Sequence, residues 1–206
     1  MQQAAETETR SSATPAAERF RAPLLSEILQ GRQPGRRSRW MDLGRANAGL
    51  LELLQPGRIC IDIAALVDRI AAEDPSAKQV ALPRPPGSEK FDVLLCWDLL
   101  NYLERGELTQ LAGFATRHAS DGCRAHALIR YSDKEMPARP CDYRVETDGE
   151  LMARNRDEGR VSAPRYSPKA LEKAMPGLRV EHTRLRNNGM QEFVFVVEPH
   201  GETPRG

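Results

Sequence analysis

The 206-residue sequence contains no run of 18 apolar residues, so no segment is long enough to cross a bilayer as a helix. Aromatic residues make up only 5% of the chain, so a core must be built chiefly from Leu, Val, Ile and Ala. The four cysteines, Cys60, Cys96, Cys123 and Cys141, stand 18 to 36 residues apart. That spacing gives neither a Cys-x-x-Cys pair nor a zinc knuckle. The histidines add no metal-ligand spacing, so no metal site is expected. Cys60 and Cys96 fall in predicted strands, where a reduced thiol packs as a small hydrophobe, and a reducing cytoplasm is the expected compartment. No charge of one sign dominates either. The formal net charge is +1, which offers no broad basic face to a nucleic acid. Met1 to Arg21 carries Glu6 and Glu8 and no apolar core segment, unlike a secretory signal.

What is present is enough apolar residue, 40% of the chain, for one full core at this length. Residues 1–22, rich in Ala, Thr, Ser, Glu and Gln, read as a flexible tail, and 201–206 as a second one. Residues 23–200 then form a single domain. Four arginines, Arg32, Arg36, Arg37 and Arg39, fall within eight residues, a pattern of a solvated linker or of a patch for a phosphate or acidic partner.

The central part alternates strand and helix signals. A short helix is predicted at Pro23–Leu29, then a strand at Arg39–Leu43. Leu50, Leu51, Leu53 and Leu54 mark a helix that stops at Pro56-Gly57, and a strand follows at Arg58–Ile63. A helix is predicted over residues 64–72 and a weak strand over Gln79–Leu82. Phe91–Trp97 (FDVLLCW) is apolar almost throughout, as expected of a strand buried on both faces of a parallel sheet. A helix over Glu107–His118 and a strand over Arg124–Tyr131 follow. Residues 132–166 are polar and proline-containing, and read as an insertion over the cleft with a hairpin near Asp148-Gly149. Ser167-Pro168 starts a further helix, because Ser caps and Pro suits the first turn.

The last two strand signals, Leu178–Arg186 and Glu192–Val197, are separated by only five residues. A parallel connection needs a dozen or more, so the pair is an antiparallel hairpin, with Asn188-Gly189 as its turn. The fold class is therefore α/β: a mostly parallel Rossmann-like sheet with helices on both faces and a C-terminal antiparallel β-hairpin.

Ligands of open parallel sheets bind beyond the carboxyl ends of the strands. There stand Asp42-Leu43-Gly44-Arg45-Ala46-Asn47-Ala48 after one strand and Asp62 near the end of the next. Asp42-Leu43-Gly44 resembles the first motif of the class I S-adenosylmethionine-dependent methyltransferases, an acidic and a hydrophobic residue followed by Gly-x-Gly-x-Gly. Ala46 and Ala48 depart from its second and third glycines. Asp62 falls where that family places a ribose-binding carboxylate, and the terminal hairpin matches its sheet. The resemblance covers about residues 38–198 and implies S-adenosyl-L-methionine as cofactor, with contacts at Asp42, Gly44, Ala46, Asp62, Gln79, Trp97 and Asp98. Gln79 stands where an acidic residue often meets adenine.

Methyl transfer from a sulfonium needs alignment and exclusion of water more than a covalent residue. Asp98 is the candidate general base, or else a helix cap, and Tyr131 is the candidate for the acceptor side. Asn101 and Tyr102 stand close enough in sequence to line the same crevice. Arg139, Arg144, Arg154, Arg156 and Arg165 of the insertion are candidates to meet a carboxylate or phosphate. Asp98-Leu99-Leu100-Asn101 is unlike the Asp/Asn-Pro-Pro-aromatic segment of amino-group DNA methyltransferases. Two functions follow: methyl transfer to an unidentified small-molecule or protein acceptor, or a catalytically inactive relative that serves as a binding or regulatory scaffold. The sequence specifies no oligomeric state.

Overall fold

The structure is a computed structural model that describes residues 17–33, 35–70, 82, 89–156 and 158–198. Gln79, with the expected strand leading to Leu82, lies outside the described residues. The elements in chain order are β1 (Ala17–Arg21), α1 (Pro23–Gln30), β2 (Ser38–Asp42), α2 (Ala48–Leu54), β3 (Ile59–Ile63), α3 (Leu66–Ile70), β4 (Phe91–Trp97), α4 (Arg105–His118) and β5 (Ala119–Arg130). The second half holds β6 (Glu135–Pro137), β7 (Asp142–Thr147), β8 (Glu150–Arg154), β9 (Arg160–Ser162), α5 (Pro168–Ala174), β10 (Leu178–Leu185) and β11 (Met190–Val197).

The central sheet has six strands in the order β10-β11-β5-β4-β2-β3. Its β3, β2, β4 and β5 pair in parallel, while β11 is antiparallel to both β5 and β10. The short linker after β10 leaves no other pairing, and Gly189 closes its turn at φ 75°. β2 pairs with both β3 and β4, so the sequence order β2, β3, β4 becomes the spatial order β3, β2, β4.

Alternation along β4 divides the interior. Leu94 and Cys96 join Leu108, Leu111 and Phe114 of α4, Leu171 of α5 and Leu66 of α3 in one buried cluster. Val93, Leu95 and Trp97 join Leu25 and Leu29 of α1, Leu50 and Leu54 of α2, and Val145 and Leu151 of the β7–β8 hairpin in another. Local signals fix the helix starts. The Asn47 side chain accepts from Leu50 N, Ser167 accepts from Ala170 N, and Glu104 forms a capping box with Glu107. Among the described residues no helix is long and apolar enough to cross a membrane.

Two features correct the sequence reading. Residues 17–21, expected within the tail, form β1, which pairs antiparallel with β8 and makes a three-stranded sheet with β7. This strand is nearly all exposed and gains its place through backbone pairing, which leaves no hydrophobic periodicity to read. The strand expected over Arg124–Tyr131 begins earlier, at Ala119, and Gly122 lies inside it at φ 73°, where the β4–β5 register shifts.

Behind α1 lies a buried ionisable pair. His126 on β5 and Glu192 on β11 have no exposed surface, and His126 Nε2 is 3.0 Å from Glu192 Oε1. The same oxygen accepts from Leu25 N at 2.8 Å, so Glu192 also caps the amino end of α1, whose Pro23 offers no N–H. Burial acts to raise the Glu192 carboxyl, but His126 and the N–H groups of Leu25 and Leu24 outweigh it and hold it below its ordinary value. Replacing Glu192 with Leu strands the imidazole and the helix N–H groups. We expect a loss of about 3 kcal/mol or more in urea unfolding, against less than half of that for Glu192→Gln, which keeps an acceptor. Equal losses for the two variants would contradict the capping role.

Candidate functional site

The site is built at the carboxyl ends of β2 and β4. Asp42 ends β2 and is fully buried. Its Oδ1 accepts from Gly44 N at 2.7 Å, closing an Asx turn, and from the Trp97 indole N–H at 2.6 Å. Its other oxygen has no protein partner among the described residues. Burial pushes the Asp42 carboxyl up to about 7, although both hydrogen bonds act the other way. The loop is then held from the β3–α3 junction, where Ala65 N donates to Gly44 O and Leu66 N to Leu43 O.

Trp97 ends β4 at φ 51°, a left-handed conformation that is unusual for a bulky side chain. It turns the indole onto Gly44. A methyl carbon added at Gly44 would stand 2.4 Å from Trp97 Cδ1 and 2.5 Å from Nε1. A face of the indole stacks on Tyr143 of β7, with centroids 5.4 Å apart and planes at 12°. The glycine therefore serves close approach, and the group that approaches is the protein's own tryptophan.

The β7–β8 hairpin packs directly on the amino end of α2. Asn47 Nδ2 donates to Tyr143 O, and Asn47 Oδ1 accepts from Val145 N as well as Leu50 N. At Gly49 an added methyl carbon would lie 1.8 Å from Val145 O, so only glycine permits this contact. Charged groups rim the junction. Arg45 meets Asp68 and Asp142, Arg156 meets Asp68 at 3.1 Å, and Arg154 lies 3.6 Å from Asp142. Two of the five arginines expected to meet a ligand thus face carboxylates of the chain itself.

The remaining candidates divide. Asp98 is buried, and its Oδ2 accepts from Cys141 N at 3.0 Å rather than capping the turn Leu99–Tyr102 that follows it. Burial raises its carboxyl to about 6. Asn101 is structural: its side chain bonds Asp98 O, Leu128 O and Arg130 N. The Tyr102 hydroxyl donates to the Pro137 and Arg139 carbonyls, at the end of β6 and just after it. Tyr131 is 54% exposed and does not line the cavity at Gly44, where the tyrosine present is Tyr143. Ala46 lines that cavity and keeps an ordinary negative φ, so no glycine is needed there. Asp62 is engaged by Arg39, with Nε 2.7 Å from Oδ2. Among the described residues no group of three or more His, Cys, Asp and Glu side chains could hold a metal ion.

The cavity beside Gly44 is about 260 Å³, bounded by Arg45, Ala46, Val67, Trp97, Asp142 and Tyr143. Sites for drug-sized ligands run from about 300 to 1,000 Å³. With Trp97 packed on Gly44 and Asp62 bonded to Arg39, two positions expected to contact the cofactor are engaged by the chain's own side chains in this conformation. Sequence reading missed Tyr143 and Val145, which decide this; Gly49 at the start of a leucine-rich helix was the one visible trace of them.

No family model matches the chain, and no curated protein matches it. Among solved structures it is similar to an S-adenosylmethionine-dependent methyltransferase from Clostridium acetobutylicum, with 13% identity, 79% of this chain and 85% of that one covered, and a TM-score of 0.47. It is also similar to the glycopeptide N-methyltransferase MtfA complexed with S-adenosyl-L-methionine, with 14% identity, 84% and 92% coverage, and a TM-score of 0.42. TnmH shows 14% identity and a TM-score of 0.45 over 85% of this chain, which spans 54% of TnmH. No residue role passes across at these values; the strand order itself describes the fold.

Asp42 makes stability depend on pH. Its folded value of about 7 lies above the ordinary 3.8, so its contribution is full below about 4 and is lost as pH rises through 7. Asp42→Asn keeps an acceptor for Gly44 N and Trp97 Nε1. We expect the variant to flatten the fall in unfolding free energy between pH 5 and pH 8, measured by urea titration at several pH values around the shift. An unchanged slope would show that Asp42 is ionised throughout.

Proposed function

We propose that this chain has the class I methyltransferase architecture, with helices covering both sheet faces, and that S-adenosylmethionine is the ligand class of its crevice. Methyl transfer goes to a small-molecule or protein acceptor only once the β7–β8 hairpin and Trp97 leave Gly44. The observation that supports this reading is the strand order, with antiparallel β11 between β5 and β10 and an acidic-hydrophobic-glycine turn ending the strand beside β4. In the open form Gly44, Ala46 and Asp42 would border the cofactor. Asp98, kept protonated more readily than an ordinary carboxyl by burial, would face the cleft once Cys141 is withdrawn.

A second reading rests on the Trp97 contact. The indole N–H to Asp42, the stack on Tyr143 and the packing on Gly44 fill the crevice from within, as a catalytically inactive binding scaffold would. Calorimetry with S-adenosylmethionine and S-adenosylhomocysteine separates the two. Micromolar binding by the unmodified protein supports the gated enzyme, and Trp97→Ala should then bind about tenfold tighter, because less of the population is closed. No heat at millimolar ligand for either protein sinks the enzyme reading. Binding by Trp97→Ala alone identifies a scaffold whose crevice is filled by its tryptophan.

A further inference from the structure

A cavity of about 550 Å³ lies at the other end of the sheet, where β2, β4 and β5 begin. Its floor is apolar: the edge of Trp40, with Ile28 of α1 and Val93 of β4, all of them members of the cluster shared with α1 and α2. Its walls are cationic. Arg36 and Arg58 are exposed at its mouth and make no ion pair with a described residue. Arg32 directs its guanidinium to the Leu29 and Leu53 carbonyls, which fixes it beneath them without neutralising it. Arg124 is already matched by Glu181.

The carboxylates of the lining do not balance these charges. Asp92 is committed to the fold, since Oδ2 accepts from Ser38 Oγ and Arg39 N, and Oδ1 from Ser120 Oγ. These bonds tie the first residues of three strands together. Asp121 alone among the lining carboxylates makes no side-chain hydrogen bond or ion pair with a described residue. Three unneutralised guanidinium groups therefore face one free carboxylate above an apolar floor. Arginine forks favour planar oxyanions, and the floor favours an apolar body. The volume lies within the range of small-molecule sites.

We infer that the cavity lined by Trp40, Ile28, Val93, Arg36 and Arg58 is a binding site for a hydrophobic carboxylate, a small organic anion with an aryl or alkyl body. It is separate from the crevice at Gly44, and stands or falls independently of methyl transfer.

The two tryptophans make the site observable, because Trp40 borders this cavity and Trp97 the crevice. In protein labelled with nitrogen-15 tryptophan there are two indole N–H resonances, assigned with Trp97→Phe. Titration of the unmodified protein with 2-naphthoate should move the Trp40 resonance saturably and leave that of Trp97 in place. Naphthalene-2-carboxamide, with the same ring and no charge, should bind about tenfold more weakly or worse, as should naphthoate to the Arg36→Gln/Arg58→Gln double variant. Inorganic phosphate should not reproduce the shift. The inference is overturned if the Trp40 resonance stays still up to the solubility limit. It is equally overturned if the amide or the double variant binds as tightly, if phosphate alone gives the same shift, or if the Trp97 resonance moves instead.

Discussion

The indole of Trp97 joins three parts of the molecule that are far apart in sequence. Its N–H enters the Asx turn after β2, its edge lies against the bare Cα of Gly44, and its face carries Tyr143 of β7. Each contact sets a condition on the others. Gly44 must lack a side chain, Asp42 must be dry, and Trp97 must hold a left-handed backbone that costs of order 1–3 kcal/mol. Such strain persists only where neighbouring contacts over-determine it, and here a buried hydrogen bond and an aromatic stack do so. Burial of Asp42 follows directly, and with it the upward displacement of its carboxyl. The same glycine that would let a ligand approach the loop lets the tryptophan approach first.

The opposite end of the sheet is organised differently. Asp92 satisfies donors from the starts of β2 and β5 and is itself near the start of β4, so the amino ends are stitched by one carboxylate rather than by an intruding side chain. Trp40 lies in the same buried cluster as Trp97, yet its indole N–H turns to Ser38 Oγ within its own strand. No insertion reaches over this end among the described contacts. The two ends of one sheet therefore differ in kind: one filled by protein, the other open and lined by arginine.

Legibility of the fold followed the range of the interactions. FDVLLCW reads as a doubly buried strand because every neighbour of β4 covers it, and Ser167-Pro168 reads as a helix start because its cap bond spans three residues. The hairpin at Asp148-Gly149 is likewise local, with Gly149 at φ 80°. The site was legible only in part. Arg39 and Asp62 sit on paired strands, and nothing in either segment announces that the guanidinium takes the carboxylate assigned to a ribose. Tyr143, 99 residues beyond Gly44 in the chain, carries no motif at all. His126 and Glu192 meet only because β5 and β11 are neighbours, and no local pattern in the sequence announces a contact 66 residues apart.

What keeps the hairpin down can be ranked by exposure. The rim pairs of Arg45, Arg154 and Arg156 with Asp68 and Asp142 are partly exposed, and such pairs contribute roughly 0–1 kcal/mol each, less with added salt. The Asn47 side chain, the Gly49 contact with Val145 and the Trp97 stack are buried or nearly so, and they do not weaken with ionic strength. Closure therefore rests on the dry contacts, and the ion pairs set orientation. A ligand that needs the crevice open has its affinity reduced by the fraction of molecules that are open.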